Sequence, residues 1–402
     1  MSKLITAISQ AAAIRLRQRL QPEGGAGDKL FPPTFAGGVY SWETRKIEGE
    51  DVLCVLLDSV AAQANRLEEA LAGAIAGGLA VPELRVNFAT DFPEIGQVGV
   101  FNAPHRIFDA ILRDSQVDGK AFSKSPLYGA LAAANIRNAN AIFENSPSAL
   151  LFGCWDSTGA AGGLGNKFAR AVVSEIVGVA ANFGETRGGV RTDPLGIIKE
   201  ASVTTKDSLS WEVAKPAKAE KAFKPSEINH GNILISSADT TKHEFVLGDK
   251  LYEQTHTVRG GVTVDHALQI SVISINALKR LRFPEPSGAP SAPRDTAAHR
   301  VLLALGLLAL TLGREQGYWL RSRCGLVAEG YADFEIVYGD GRTEAFKLTA
   351  AEARAEFDSA VTAAKAAGLG WNGVQMLTPQ PKLVELIKTS RKLQALGKVE
   401  GA

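Results

Sequence analysis

The stretch Leu150–Gly178 joins a short apolar run, a glycine-rich loop and a basic segment, and reads LLFGCWDSTGAAGGLGNKFARAVVSEIVG. Because glycine has no Cβ, backbone amides of such a loop can approach an anion closely. Lys167 and Arg170 lie three residues apart beyond the loop. Apolar residues recur every four positions from Phe168 to Ile176, which predicts a helix with a basic and an apolar face. A helix N-terminus adds exposed N–H groups and a positive dipole end, so the stretch predicts an anion site.

The loop does not match two common phosphate-binding motifs. A nucleotide P-loop ends in Gly-Lys-Ser/Thr, but here Phe168 follows Lys167 and no hydroxyl is present. The dinucleotide fingerprint fails because Phe168 also stands where its third glycine belongs. Other interpretations therefore stay open: an enzyme that holds a phosphorylated substrate in the Gly159–Lys167 loop, a scaffold protein without nucleic acid, and an ordinary connection between a strand and a helix.

The chain as a whole is close to neutral. It has 402 residues, 45% of them hydrophobic, and a formal net charge of +1. A nucleic-acid role would therefore need a local basic surface. The cysteines, Cys54, Cys154 and Cys324, are far apart and form no C-x-x-C pair, and no histidine has metal-ligand spacing. We expect no metal, no cofactor and a reducing cytoplasm.

Several segments predict particular elements. The longest apolar run, Val301–Leu312, is too short to span a bilayer and predicts a buried helix, so no membrane contact is expected. The N-terminus has no signal-peptide h-region. Met1–Leu20 carries basic residues and no acid, and is interpreted as an amphipathic helix. A strand is predicted at Val52–Leu57, followed by a helix capped by Asp58 or Ser59.

Further elements are expected along the rest of the chain. A helix is expected after Asn102–Arg106, because the proline within it biases the preceding residue away from helix. Strand patterns return at Asn232–Ser236 and Glu244–Leu247. A hairpin is predicted around Tyr338–Gly341, and charged helices follow it.

The composition changes after residue 183. Gly184–Pro225 is rich in Gly, Pro, Lys and Ala, with too few apolar residues to pack alone, which predicts an insertion that is mobile in the free protein. The domain boundaries follow: a first part of the fold at 1–183, the insertion at 184–225, a second part at 226–283 and a C-terminal helical and hairpin region at 284–402.

Three segments, taken in order, resemble a known family. They are LLDSVAAQANRLEEAL at Leu56–Leu71, APHR at Ala103–Arg106 and WDSTGAAGGLGNKFARAVVSEIVG at Trp155–Gly178. Together they are similar to the CRISPR-associated RAMP-superfamily backbone subunit, the seventh Cas family, of type I-G (formerly I-U) Cascade. The resemblance is strong from about residue 30 to residue 191 and weaker to about residue 283.

The resemblance implies an α+β protein with an RRM-like (ferredoxin-like) palm and large insertions that form thumb and finger regions. Many copies of such a subunit bind one guide RNA, and they do not catalyse a reaction. The implied partners are crRNA, target DNA through guide pairing, further copies of the chain and other Cascade subunits. Type III relatives cut target RNA with a loop aspartate, to which no aspartate here aligns. With 7% aromatic residues and no RNP1-like sequence, base stacking is expected to be secondary.

The resemblance also implies which residues contact RNA. The start of the first palm helix resembles one backbone contact, and the loop from Trp155 to Lys167 with Arg170 resembles a second. The insertion after Phe183 is similar in position to the thumb. Phosphate contacts of this kind fix register and do not read bases. The RNA-binding residues predicted in this way, together with nearby basic clusters, are Ser59, Gln63, Asn65, Arg66, His105, Arg106, Trp155, Ser157, Thr158, Gly159, Lys167, Arg170, Arg187, Arg191, His256 and Arg259.

Overall fold

The first described strand overturns the expectation of an N-terminal helix over residues 11–20. The computed structural model describes residues 9–36, 39–156, 167–184, 189–204, 209–214, 222–231, 233–235, 240–247, 250–257 and 260–395. Within it, Ala11–Pro22 is strand β1. Leu16 and Leu20 are buried, whereas Arg17 and Arg19 are exposed. This two-residue period belongs to a strand that buries one face, and it was already visible in the alternation of arginines with leucines.

The remaining elements follow in chain order. The strands are β2 (Trp42–Ile47), β3 (Glu50–Asp58), β4 (Glu83–Asn87), β5 (Gln97–Gly99), β6 (Ser115–Val117), β7 (Lys120–Ala121), β8 (Cys154–Trp155), β9 (Lys167–Phe168), β10 (Val172–Val179), β11 (Asn182–Phe183), β12 (Gly189–Arg191), β13 (Ile233–Ile235), β14 (Thr240–Leu247), β15 (Lys250–Thr257), β16 (Val262–Thr263), β17 (His266–Ser274), β18 (Tyr318–Arg321), β19 (Cys324–Ala328), β20 (Phe334–Tyr338), β21 (Thr343–Phe346) and β22 (Val374–Pro379). The α-helices of the described residues are α1 (Val60–Ala76), α2 (Ala110–Arg113), α3 (Pro126–Ala133), α4 (Asn140–Asn145), α5 (Ser148–Phe152), α6 (Ile275–Leu278), α7 (Ala292–Gln316), α8 (Ala350–Ala366) and α9 (Pro381–Ala395).

One antiparallel sheet dominates the fold. Its order is β18-β19-β1-β17-β10-β3-β2, with β20 also paired to β1 and β21 paired to β20. The sheet is curled, since β18 and β3 lie far apart in this order but approach each other: Arg321 on β18 donates a hydrogen bond to the carbonyl oxygen of Leu57 on β3 at 2.8 Å. Strands β18 to β21 come from the region 284–402, so the C-terminal third of the chain completes this sheet. The protein is therefore a mixed α/β structure built on a curled antiparallel sheet, as expected at that level.

Helices α1 and α7 pack against each other on one face of the sheet. The N-terminus of α1 is capped by Ser59, whose hydroxyl accepts a hydrogen bond from the Ala62 N–H at 3.2 Å, so the predicted strand, cap and helix are confirmed. Helix α7 contains the predicted buried run. It is long and apolar enough to cross a membrane by length and composition alone, but 72% of its most apolar window is buried inside the protein. It is the central core helix.

The helix predicted after the glycine-rich loop is wrong. Residues 167–168 form β9, which pairs with β8, and residues 172–179 form β10 in the main sheet. Valine and isoleucine dominate β10, and their branched Cβ atoms favour a pleated strand between two neighbours. The described residues on both sides of the loop are thus hairpin strands, so the helix-dipole argument for an anion site does not apply.

Other predicted elements are confirmed in part. Strands β13 and β14 cover the patterns near residues 233–235 and 244–247, and β20 and β21 form the predicted hairpin. Gly341 takes the turn position with a φ of +87°. The helix expected after Asn102–Arg106 is short: a single 3-10 turn at Arg106–Phe108 precedes α2. A second sheet, β5-β4-β22-β6-β7, places β22 parallel to β4 and so joins the C-terminal region to the first half of the chain.

Candidate nucleic-acid interface

Five of the predicted RNA-binding residues line one cavity. It has a volume of about 300 Å³ and forms where residues 104–106, 152–155 and 167–170 meet. The β8–β9 ladder places Trp155 directly opposite Lys167. The Lys167 ammonium lies 5.5 Å from the centre of the Trp155 ring, within the range of a cation–π contact. The predicted residues that line this cavity are His105, Arg106, Trp155, Lys167 and Arg170.

Arg170 supplies the least compensated charge of this cavity. Its guanidinium is half-buried, and no described residue accepts a hydrogen bond from it or forms an ion pair with it. Burial, and then the neighbouring charge of Arg106, lower the pKa of Arg170, while Glu68 acts in the opposite direction. Arginine nevertheless stays protonated in proteins. A half-buried cation without a partner favours an anionic ligand.

Arg106 has a different role, because its charge is already balanced. It donates hydrogen bonds from Nε and Nη2 to both carboxylate oxygens of Glu68 on α1, each at 2.7 Å, and from Nη1 to the Gly153 carbonyl oxygen at 3.2 Å. Arg106 is 8% exposed. Its φ of +53° is unusual for a residue with a side chain and costs conformational energy. The bidentate pair with Glu68 holds it there, and Arg106 thereby fixes the β8 hairpin to α1.

Gly153 allows the backbone to pass close to Arg170. Its φ is +81°, and a Cβ atom at this position would lie 2.9 Å from Cγ of Arg170 and 3.1 Å from the Phe168 carbonyl oxygen. Only glycine fits both requirements without a shift of its neighbours. The glycine at position 153 is therefore explained by its close packing against the Arg170 side chain.

The balance of charge in the cavity is positive. Lys167 and His105 are exposed and have no ion-pair partner among the described residues. Two carboxylates lie near the cavity, Glu68 and Asp156, and they are only 3% and 7% exposed. Burial raises the pKa of Glu68 against the opposing effect of Arg106. A phosphate that entered the cavity would meet Lys167 and Arg170 and no exposed acid.

Cys154 also lines this cavity but does not offer a reactive thiolate. Burial raises its pKa to about 12, so the thiol stays protonated at neutral pH. Among the described residues, no group of three or more His, Cys, Asp or Glu side chains could hold a metal ion. The chemistry that these residues offer is therefore the binding of an anion.

The predicted contacts on α1 are mostly engaged inside the protein. Gln63 is 4% exposed, and its amide donates to Asp58 at 2.7 Å and accepts from Ser174 and Gln269, both at 2.9 Å. Arg66 donates to Asp58 at 2.9 Å. Those side chains therefore hold α1 on the sheet, which is a structural role that sequence reasoning did not assign to them.

Two predicted contacts at the start of α1 remain partly or fully accessible. Asn65 is exposed and no hydrogen bond of its side chain is formed with a described residue, whereas the Ser59 hydroxyl caps the helix. Because positions on one helix face repeat every 3.6 residues, Asn65 projects from the side of α1 opposite its buried stripe. Of the four predicted positions on α1, Asn65 is the one with an available polar side chain.

Asp58 is the centre of a cluster that sequence reasoning missed. It is fully buried, with 0% exposure, and it accepts hydrogen bonds from Gln63, from Arg66 and from Arg321 at 3.3 Å. Arg66 also donates to the carbonyl oxygen of Leu320 at 2.6 Å. The signal in the sequence is Asp58 itself, a carboxylate at the end of an apolar strand, which is costly to bury unless cations surround it.

The other predicted residues lie away from this cavity or outside the described residues. Arg191 on β12 is exposed and donates to the carbonyl oxygen of Asn229 at 2.9 Å. His256 lies in β15, and its side chain is outside the described part of the structure. The predicted positions that lie wholly outside the described residues are Ser157, Thr158, Gly159, Arg187 and Arg259.

Comparison with known proteins identifies a family for the first part of the chain. Residues 14–183 match the family described as "CRISPR-associated protein GSU0053". That range contains helix α1, the 3-10 turn at Arg106–Phe108 and both strands of the β8–β9 hairpin. It therefore covers every residue that lines the 300 Å³ cavity, which is called the cationic cavity below. The match is to a CRISPR-associated family, as the resemblance predicted, and it covers somewhat less than half of the chain.

The other comparisons add less. Among the solved structures that match is the crystal structure of Thermofilum pendens Csc2, with 12% identity, coverage of 98% of this chain and 80% of that chain, and a TM-score of 0.27. At that TM-score the superposition supports no argument about this fold. No curated protein matches the chain.

Proposed function

Because residues 14–183 match a CRISPR-associated family, we propose that this chain is the guide-RNA-binding backbone subunit of a type I-G Cascade complex. Copies of it line up along one crRNA, contact other Cascade subunits and present the guide for pairing with target DNA. The subunit binds RNA through phosphates and leaves sequence recognition to guide–target pairing. It is not an enzyme. The observation that carries the proposal is the half-buried Arg170 guanidinium, which has no partner in the described part of the chain, beside the exposed Lys167.

The order of elements supports an RRM-like palm. The path β1, α1, β10, β17, α7, β20 alternates strands and helices as β-α-β-β-α-β, and the corresponding strands lie side by side in the order β20-β1-β17-β10. Neighbouring strands in this order are antiparallel. This is the arrangement of a ferredoxin-like fold, to which RRM domains belong. Strands β2 and β3 are then an insertion that extends the sheet beyond β10.

The proposed palm differs from an RRM that binds RNA through stacked bases. Its two central strands, β1 and β17, carry no Phe, Tyr or Trp. The open face of the sheet instead presents Arg17 beside Ile270 on the neighbouring strand. We place the guide backbone at the cationic cavity beside α1 because phosphate is the chemistry that this cavity favours.

The insertion at 184–225 remains the proposed thumb. Its described residues include β12, which pairs with β13 beyond the insertion, and a backbone contact between Val203 and Phe223 at 2.7 Å and 2.9 Å. Arg191 on β12 is exposed, which suits a second phosphate contact. We propose that the thumb closes over guide RNA held between adjacent copies.

Filter binding of a single-stranded RNA at several salt concentrations tests the phosphate contact. We expect Lys167→Ala and Arg170→Ala each to weaken binding of all RNA sequences equally and to lower the slope of log affinity against log salt by about 1, because each removes one phosphate partner. Lys120→Ala is the matched control, since Lys120 is exposed on β7 away from the cavity.

Two results would contradict the proposed function. If the Lys167→Ala and Arg170→Ala proteins kept the parent salt slope and affinity while remaining folded, the cavity would not be the RNA contact. If the parent protein bound a phosphorylated small molecule and turned it over, the alternative of an enzyme acting through the Gly159–Lys167 loop would replace the proposal.

A further inference from the structure

A second cavity, of about 400 Å³, lies on the other flank of α1. Glu68 reaches toward Arg106 and the cationic cavity, whereas Arg66 lines this second one. The two residues are two positions apart, which is about 200° around a helix, so their side chains leave α1 on opposite sides. The indole of Trp319 on β18 lines the second cavity and is 66% exposed.

The second cavity does not favour a phosphate. Its charged lining residues are Arg66 and Glu69. All three guanidinium nitrogens of Arg66 already donate hydrogen bonds, to Asp58 and to the carbonyl oxygens of Trp319 and Leu320. Glu69 is exposed and carries a negative charge toward solvent. A free phosphate would therefore find no cation with free donors among these lining residues and would meet the negative charge of Glu69.

The groups that are available in this cavity suit a flat, polar ring. Trp319 offers an exposed aromatic face, and Arg66 fixes its backbone by donating to the Trp319 carbonyl oxygen at 3.3 Å. Gln316, at the end of α7, is exposed, and its amide has no hydrogen-bond partner among the described residues. An aromatic face with a nearby amide is the combination that holds an unstacked nucleobase.

We propose that Trp319 and Gln316 hold a nucleobase of the same RNA strand whose phosphates lie at Lys167 and Arg170. The inference rests on the proposed function, because a strand anchored at the cationic cavity is what brings a base to a site whose arginine donors are already engaged. A helix with its side chains is about 10–12 Å across, so a short run of single strand spans α1. Asn65 lies on the outer side of α1 between the two cavities and is available to the passing backbone.

The test uses the full chain and an oligouridine RNA that carries one 2-aminopurine. We expect Trp319→Ala to lower its affinity by about 5- to 150-fold, the range found when a stacking aromatic is removed. Trp319→Phe keeps most of the affinity, and the salt slope of both variants equals that of the parent, because no phosphate contact is lost. Tyr331→Ala is the matched control: Tyr331 is 62% exposed but lines a different cavity.

The possible results separate this inference from the proposed function. If the parent does not bind the RNA, both are overturned. If the parent binds and Lys167→Ala weakens binding, but Trp319→Ala behaves like Tyr331→Ala, only the base site is overturned. If AMP alone quenches the part of the tryptophan fluorescence that Trp319→Ala removes, and binds with the same affinity as the RNA, the cavity is a site for free nucleotides and the inference is likewise overturned.

Discussion

The two flanks of α1 use arginine in opposite ways. On one flank, Asp58 forms ion pairs with both Arg66 and Arg321, and the result is a joint between α1, β3 and β18. On the other flank, Glu68 pairs with Arg106, but Arg170 and Lys167 beside it have no carboxylate partner among the residues that the structure describes. A paired arginine positions the backbone, and an unpaired one attracts a ligand. A cation that has no ion-pair partner among the described residues therefore distinguishes the binding flank from the structural flank.

Removal of Asp58 tests the structural flank and has the largest expected effect. Asp58→Ala leaves two partly buried guanidiniums without their carboxylate, so we expect a loss of about 3–5 kcal/mol in the free energy of unfolding, measured by urea denaturation. The control is Asp51→Ala, which breaks a pair with Lys46 whose side chain is 70% exposed, and which should cost less than about 1 kcal/mol. Equal losses in the two variants would show that the Asp58 cluster does not hold the fold.

Substitution of Gly153 tests how the binding flank is packed. Gly153→Ala puts a methyl group against Arg170 in a left-handed backbone conformation, so we expect a loss of about 2 kcal/mol in stability and weaker RNA binding. Gly129→Ala is the control, because nothing lies within 4 Å of its added Cβ. It sits inside helix α3, where alanine should stabilise by up to about 1 kcal/mol. An affinity for RNA that stayed unchanged in Gly153→Ala would detach Arg170 from the site.

The sequence predicts the local elements of the fold better than its connections. The strand at Val52–Leu57, the cap at Ser59 and the core helix follow from apolar runs and capping residues, which act over short distances. The N-terminal helix was wrong because a set of basic residues was given more weight than their alternation with leucines. The pairing of β1 with β17 and β20 joins residues far apart in the chain, and no local pattern encodes it.

The candidate site shows the same limit. The sequence predicts Trp155, Lys167 and Arg170 as one contact, and the structure places them around one cavity together with Arg106. The predicted helix was wrong, because Lys167 lies in β9 and Arg170 lies between β9 and β10. It could not separate paired from unpaired cations, because Glu68 and Asp58 find their partners only through tertiary packing. Charge compensation is a property of the folded chain.

The pH dependence of stability tests the buried pair on the binding flank. Burial raises the pKa of Glu68 above its ordinary value of 4.5, so the folded state holds this proton more tightly than the unfolded state. Stability should therefore fall as pH rises from about 4.5 through the raised pKa, with a slope of at most about 1.4 kcal/mol per pH unit. Glu68→Gln removes this component. If urea denaturation of the parent and Glu68→Gln gave parallel pH profiles, Glu68 would titrate as it does in the unfolded chain.

The smallest expected effect concerns Trp155, and it decides whether this side chain binds RNA or only orients Lys167. The cation–π contact between the two, at 5.5 Å, orients the ammonium. Its loss in Trp155→Ala should cost about 0.5–1 kcal/mol of RNA affinity at an exposed site, whereas Phe35→Ala, with the same 45% exposure in the parent, should cost nothing. If Trp155 acts only through Lys167, the Trp155→Ala change has no further effect in a Lys167→Ala background. Additive losses in the double variant would instead place the indole against the RNA, and the binding flank would then combine a phosphate contact with stacking.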